Sequence, residues 1–215
     1  MAQEKQLGIG LIGAGAIMRL SHIPTVMKSG IAKLVGIYDP SRERADALAE
    51  SSGSRSFETL DALLDSSEID AVIIATPNNR HEEAAVAAAK AGKHILCEKP
   101  LAIDIQSATR IVNAAKEAGV VLQVGFNQRF WSQVQIAKQL IDADFIGDVH
   151  AFRSVYSKHP LVDGVWTCRK GLPGKGFSEL SNVHGNVQLR QFASNFRLYS
   201  SMDQVDDPAI GNPKD

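Results

Sequence analysis

A chain of 215 residues, 44% hydrophobic and 22% charged, is long enough for one sizeable core, or for one domain and part of another, and is too balanced for a disordered protein. Its 23 basic and 24 acidic residues leave a formal charge of -1, which argues against a general polyanion binder and so against nucleic acid as a partner. The cysteines, Cys97 and Cys168, lie far apart without CxxC or metal-ligand spacing, so reduced thiols and no metal site are expected.

The first residues, MAQEKQ, are polar, and the apolar run after them is only about six residues, too short for a secretory core or a membrane span. A cytoplasmic protein that does not engage a membrane is therefore expected. No internal repeat or low-complexity tract is present.

Leu7 to Ile12 reads as a strand that runs into Gly13-Ala14-Gly15-Ala16-Ile17-Met18 and then a helix. This is the place of a GxGxxG turn: the first glycine allows the turn, the second lets backbone approach a pyrophosphate, and the helix start offers N–H groups to phosphates. Met18 stands where a third glycine would let helix and strand pack closely, and the turn alone fits equally a ligand-free strand-to-helix connection. The second strand, Lys33 to Tyr38, ends in Asp39-Pro40, at the distance where an acidic residue accepts hydrogen bonds from an adenosine ribose. Asp39 also fits a simple cap for the helix that follows. With the glycine turn upstream, Gly13, Gly15, Ala16, Ile17 and Asp39 make a candidate dinucleotide site. The charge of Asp39 would repel a 2'-phosphate and favours NAD, whereas Arg42 and Arg44 lie close enough to leave NADP open.

A helix from Arg42 to Glu50, an extended piece near Ser54 to Phe57 and a helix from Thr59 to Asp65 give a βαβαβα rhythm, and hence a parallel, doubly wound sheet. The next stretch, AVIIATPNNRHEEAAVAAAKAGKHILCEKPLA from Ala71 to Ala102, opens on a Val/Ile run without polar alternation, as in a parallel strand covered on both faces. Asn79 with Glu82 three residues on signals a helix start, and Gly92 a left-handed stop. A second short strand then delivers Glu98-Lys99-Pro100 to a strand's carboxyl end, where open α/β sheets bind ligands. Asn78 reads as a turn or cap residue and His81 as an exposed first-turn residue.

Further on, Asp104 to Gly119 is a helix with Ile105, Ala108, Ile111, Val112 and Ala115 on one face, and Val120 to Phe126 a buried strand. Trp131 to Ile141 is an amphipathic helix in which Trp131 is expected to pack. From Gly147 the alternation of Val149, Ala151, Arg153 and Val155 with His150, Phe152, Ser154 and Tyr156 marks a strand of a second domain. Leu189, Phe192 and Phe196 suggest a helix, 196–200 a strand, and the acidic, Pro- and Gly-containing end a polar tail.

AGKHILCEKPLA, preceded by ATPN and a helix, resembles the signature of the Gfo/Idh/MocA family, named after glucose-fructose oxidoreductase, inositol dehydrogenase and a rhizopine-catabolism protein. The resemblance is specific over about residues 7 to 130. It implies a nicotinamide-dependent enzyme acting on a sugar, inositol or similar polyhydroxy small molecule, with Thr76, Pro77, Asn78, His81 and Glu98 at the cofactor and a cis Lys99-Pro100 bond. Oxidising a carbinol requires its C–H bond aimed at the nicotinamide while a polar group handles the hydroxyl proton. Lys99 suits that task, touching both cofactor and substrate, because an ammonium stabilises developing alkoxide character. Asn127 and Arg129 lie in a segment that resembles the family's bridge to the substrate pocket, although a solvated turn fits them too.

Family enzymes carry Asp-x-x-x-His-x-x-Asp after a glycine-rich turn in the second domain, with the histidine in proton transfer. Gly171 to Gly176 and Val183-His184-Gly185 resemble that setting, but Leu180 and Val187 stand at the acid positions, and Glu179 is one residue, about 100° on a helix, away from the first. His184 is thus a candidate acid/base and substrate contact without an identified orienting partner, or a structural histidine. Full-length members continue with further strands that wall the substrate site and often pack between subunits, so the resemblance implies a shortened second domain, an exposed apolar sheet face and a route to a homo-oligomer. The expected architecture is α/β: a Rossmann-type NAD(P)-binding domain over residues 1–125, followed by an incomplete α+β substrate and oligomerisation domain over 126–215. The alternative is a dinucleotide-binding protein of the same family without turnover.

Overall fold

The computed structural model describes residues 5–147, which fall into two compact units, 5–127 and 128–147. The expected strand at 149–156, the turn at 171–176, Cys168, Glu179, His184, the helix and strand at 189–200 and the tail lie outside the described residues.

In the first unit, β1 (Leu7–Ile12), β2 (Ala32–Tyr38), β3 (Arg55–Ser56), β4 (Ala71–Ile74), β5 (His94–Cys97) and β6 (Leu122–Val124) form one sheet, every pair parallel, in the order β3-β2-β1-β4-β5-β6. The order reverses between β1 and β4, and at such a switch point the loops after the strands diverge and leave a crevice at their carboxyl ends.

Strand alternation sorts the core onto two faces. Ile9 and Leu11 of β1, Ile37 of β2 and Ile73 of β4 pack with Ile23 and Val26 of α1 (Ile23–Lys28) and Leu48 and Ala49 of α2 (Arg42–Ser52). Ile12, Val72, Ile74, Ile95 and Cys97 pack with Leu63 and Leu64 of α3 (Leu60–Leu64), the alanines of α4 (His81–Lys90) and Ile111 of α5 (Ile105–Glu117). Each fully buried Leu or Ile contributes about 1.5–3 kcal/mol, so these faces hold the sheet against the helices. Beyond His81, the buried residues of α4 are Ala84, Ala85, Ala88 and Ala89, whose small side chains let that helix lie close to both the sheet and α5.

The helix after the glycine turn is not a plain α-helix. Residues Met18–His22 form a π turn, closed by Ile23 N–H donating to the Met18 carbonyl, before α1 begins with Pro24 in its first turn. In an unbroken α-helix the residue four after Met18 would share its face and the residue five after would point about 140° away. The wider turn instead aligns Met18, Ile23 and Val26, all buried, and moves His22 out of the core stripe.

Three local expectations need correction. Asn79 does not cap α4: a 3-10 turn, Asn78–Arg80, precedes that helix, and its N-cap, Arg80, has helical backbone and makes no side-chain cap bond. Ile105 is 80% exposed among the described residues, because it lies about 120° around α5 from the buried Ile111. The stretch 120–126 yields only β6, at the sheet edge with Gln123 exposed, since an edge strand is paired on one side alone. By contrast Thr59 and Asp104 cap α3 and α5 through their side chains, Gly92 and Gly119 take positive φ, and the Lys99-Pro100 bond is cis.

A second 3-10 turn, Asn127–Phe130, leads to α6 (Ser132–Asp142) in the second unit. No residue of α6 is buried among the described residues, and Trp131, which precedes it, is 43% exposed rather than packed. Among the described residues no helix is long and apolar enough to cross a membrane, and no cluster of three or more His, Cys, Asp or Glu could hold a metal.

Candidate functional site

The carboxyl ends of β1, β2, β4 and β5 open onto one cleft of about 820 Å³. Gly13, Gly15, Ala16, Ile17, Asp39, Thr76, Pro77, Asn78, His81, Glu98 and Lys99 all line it, although they come from four separate strand ends.

Gly13 has φ +105°, and a Cβ there would lie 2.8 Å from the Ala75 carbonyl oxygen, so this turn excludes side chains on two counts. Its N–H donates to the Tyr38 carbonyl at 2.8 Å. Gly15 faces open space, with nothing within 4 Å of where a side chain would start, and Ala16 and Ile17 are exposed beside it. A pyrophosphate therefore has room to approach this backbone. Met18, in place of a third glycine, is fully buried: a side chain rather than close backbone contact seats this helix.

Asp39 is buried and engaged on both oxygens. Oδ2 accepts the Ala14 N–H at 2.8 Å, while Oδ1 accepts the Ser41 N–H at 2.8 Å and the Arg44 guanidinium at 2.7 Å. The carboxylate thus tethers the glycine turn to the end of β2, and Oδ2 keeps capacity for one hydroxyl. Arg44 also lines the cleft and is largely exposed.

Thr76 Oγ1 is buried without a hydrogen-bond partner among the described residues, although Thr76 lines the cleft. An unpaired buried hydroxyl costs about 1–3 kcal/mol, so a polar ligand atom over it would be stabilised. Together with the glycine turn this fits a dinucleotide. Asn78 is buried at the start of its 3-10 turn. His81 is not an exposed first-turn residue: it is 1% exposed, with Nδ1 2.9 Å from the Pro100 carbonyl and Nε2 3.0 Å from the Thr76 carbonyl. It ties the Thr76-Pro77 turn to the Glu98-Lys99-Pro100 turn.

Glu98 Oε1 lies 2.8 Å from His22 Nε2, and Oε2 accepts the Lys99 N–H at 3.1 Å. Burial alone would push its carboxyl up, but the hydrogen bonds from His22 and the Lys99 amide outweigh that and hold it below the usual range. The adjacent Cys97 thiol is pushed up to about 12 by burial and then by the charge of Glu98, so it stays a protonated core group.

Asn127 is exposed on its 3-10 turn and is not among the residues lining the cleft. Arg129 belongs to the second unit, where its carbonyl accepts from the Gln135 side chain. Sequence reasoning missed His22, and periodicity could not have found it, because a regular helix would have put it in the core. It also missed Leu20, Tyr38, Arg80 and Glu83, which line the cleft. Tyr38 was signalled by its strand end and Leu20 by the glycine turn, whereas Arg80 and Glu83 sit at the start of the helix after β4.

A family model described as "Oxidoreductase family, NAD-binding Rossmann fold" matches residues 7–126. Among curated proteins, the chain is 38% identical over 154 residues to a glucose-6-phosphate 3-dehydrogenase of Bacillus subtilis, covering 72% of this chain and 43% of that protein. It is 40% identical over 153 residues to a 2,7-anhydro-N-acetylneuraminate hydratase of Escherichia coli, covering 71% of this chain and 39% of that one. Among solved structures, scyllo-inositol dehydrogenase from Lactobacillus casei with bound NAD(H) and scyllo-inositol superposes with a TM-score of 0.62 at 31% identity, covering 67% of this chain and 43% of that chain. The chain thus spans less than half the length of these relatives. With the matched fold, strand order and signature in agreement, the chain belongs to the Gfo/Idh/MocA oxidoreductase family, with its NAD-binding Rossmann fold.

Proposed function

We propose that the cleft binds a nicotinamide dinucleotide, NAD in preference to NADP, and serves an oxidoreductase acting on a carbinol or ketone carbon of a sugar, an inositol or a related polyhydroxy compound. The observation that carries this reading is the convergence of the glycine turn, Asp39 and the Glu98-Lys99 pair on one cleft. Gly13, Gly15, Ala16 and Ile17 would receive the pyrophosphate, Asp39 an adenosine ribose hydroxyl, and Glu98 a hydroxyl of the second ribose. Thr76, Pro77, Asn78 and His81 form the wall between the two halves, with the Thr76 hydroxyl available as a donor. When bound, the nicotinamide supplies the hydride acceptor or donor.

On the substrate side, Lys99 hydrogen-bonds the reacting oxygen and stabilises its developing negative charge. The proton of that oxygen passes in this reading to His184, which lies outside the described residues. The polyhydroxy substrate class draws support from relatives named for glucose-6-phosphate and scyllo-inositol.

Fluorescence titration with NADH and NADPH tests the cofactor, and absorbance at the nicotinamide band across a panel of sugars and polyols tests turnover. Lys99→Ala is expected to lower turnover by about 10²–10⁴-fold while NADH affinity stays within about threefold. Unchanged turnover removes Lys99 from the chemistry. Binding without turnover across the panel favours a non-catalytic nucleotide-binding protein, and failure to bind either nucleotide refutes the proposal.

A further inference from the structure

His22 stands behind the cleft wall. Glu98 and Lys99 line the cleft and His22 does not, yet its Nε2 reaches Glu98 Oε1 at 2.8 Å. A carboxylate oxygen only accepts, so Nε2 carries the hydrogen of this contact. The second oxygen accepts the Lys99 N–H, which pins the carboxylate at both ends. Gly125 backs it: a methyl group there would lie in contact, 3.4 Å from both oxygens. With side chains only 13% and 17% exposed, this pair is withdrawn from the solvent that weakens surface pairs.

The placement of His22 depends on the π turn. A regular helix would give the core position four residues after Met18 to His22, whereas the bond from Ile23 N–H to the Met18 carbonyl gives it to Ile23 and frees the imidazole to meet Glu98. Single π turns of this kind recur at functional sites, where one displaced side chain is the gain.

We propose that His22 is a positioning residue of the nucleotide site: through its Nε2–Oε1 hydrogen bond it fixes the Glu98 carboxylate in the orientation that receives the nicotinamide half of the dinucleotide. This rests on the nucleotide reading above. Each pinned oxygen keeps a lone pair for a ribose hydroxyl. Without the imidazole, Glu98 regains rotamer freedom that nucleotide binding must remove, and the loss falls on the nicotinamide half alone.

The test uses the full chain with NADH and with ADP, which lacks the second ribose and the nicotinamide. His22→Ala is expected to weaken NADH about tenfold and leave ADP within about twofold, with His22→Gln, whose amide nitrogen can donate, restoring NADH to within about threefold. Should His22→Ala fail to fold, His22→Leu, which fills the space without a donor, must show the same selective loss. Unchanged NADH affinity in the donor-less variant, or equal losses for NADH and ADP, overturns the positioning role and leaves the nucleotide reading standing. Native protein that binds neither NADH nor NADPH overturns both.

Discussion

Asp39, proposed above as a ribose acceptor, also holds the Ala14 amide, the Ser41 amide and Arg44 with the same carboxylate. Its two tasks can be separated. Asn at this position keeps an oxygen for the Ala14 N–H but drops the charge that opposes a 2'-phosphate, and it releases Arg44 from the ion pair. The pair itself is a minor stability term, since Arg44 is 63% exposed and such surface pairs contribute about 0–1 kcal/mol. Selectivity is another matter, because the released guanidinium still lines the cleft. Asp39→Asn is expected to shift the NADH/NADPH affinity ratio toward NADPH by about tenfold, or about 1.4 kcal/mol, in paired fluorescence titrations. Asp39→Ala should also lower both affinities by loosening the glycine turn. An unchanged ratio in the Asn variant would remove Asp39 from ribose selection.

Among elements, the sequence signals that held were those whose cause is local. Thr59 and Asp104 accept backbone N–H groups at helix starts, Gly92 and Gly119 take the left-handed conformation at helix ends, and the unalternated Val/Ile run of β4 is buried. The residues expected at the cofactor share one cleft for a related reason: most sit at or just beyond a strand's carboxyl end, where a parallel sheet presents its loops. What failed was decided at a distance. The start of α4 is set by the contacts of His81 with Thr76 and Pro100 rather than by Asn79, and the π turn is set by which apolar side chain the core accepts. The contrast between the two helix starts is measurable. Asp104→Ala removes the bond to the Ser107 amide, 2.6 Å long, and should cost about 1 kcal/mol in urea unfolding at unchanged m-value. Asn79→Ala, at an exposed position that accepts no cap bond, should stay within about 0.5 kcal/mol. Equal costs would show that Asn79 caps α4 after all.

Across the whole fold, carboxylates held below their usual range tie distant elements together, and this fixes how stability must respond to acid. Glu82 of α4 is lowered to about 2, first by the Arg110 guanidinium of α5 and then by Ser107. Asp70, just before β4, is lowered chiefly by the Gly8 amide of β1, which it accepts at 2.8 Å. Asp46 of α2 is lowered by the Ser56 hydroxyl of β3 and by Arg42, and Asp104 by the Ser107 amide and hydroxyl. In each case the folded pKa lies below the unfolded one, so between the two values the unfolded chain binds more protons and acidification favours unfolding. The contribution is complete above the usual carboxylate value of about 4 and disappears as pH falls through the folded value. The urea midpoint should therefore be level from about pH 7 to 5.5 and fall from about pH 4.5 down to about pH 2. Asp70→Asn with Glu82→Gln removes two of the titrating groups, so the variant should be less stable near neutrality, flatter through the acid range, and converge on the native curve near pH 2. Parallel curves would mean that these contacts do not couple the strands and helices they join.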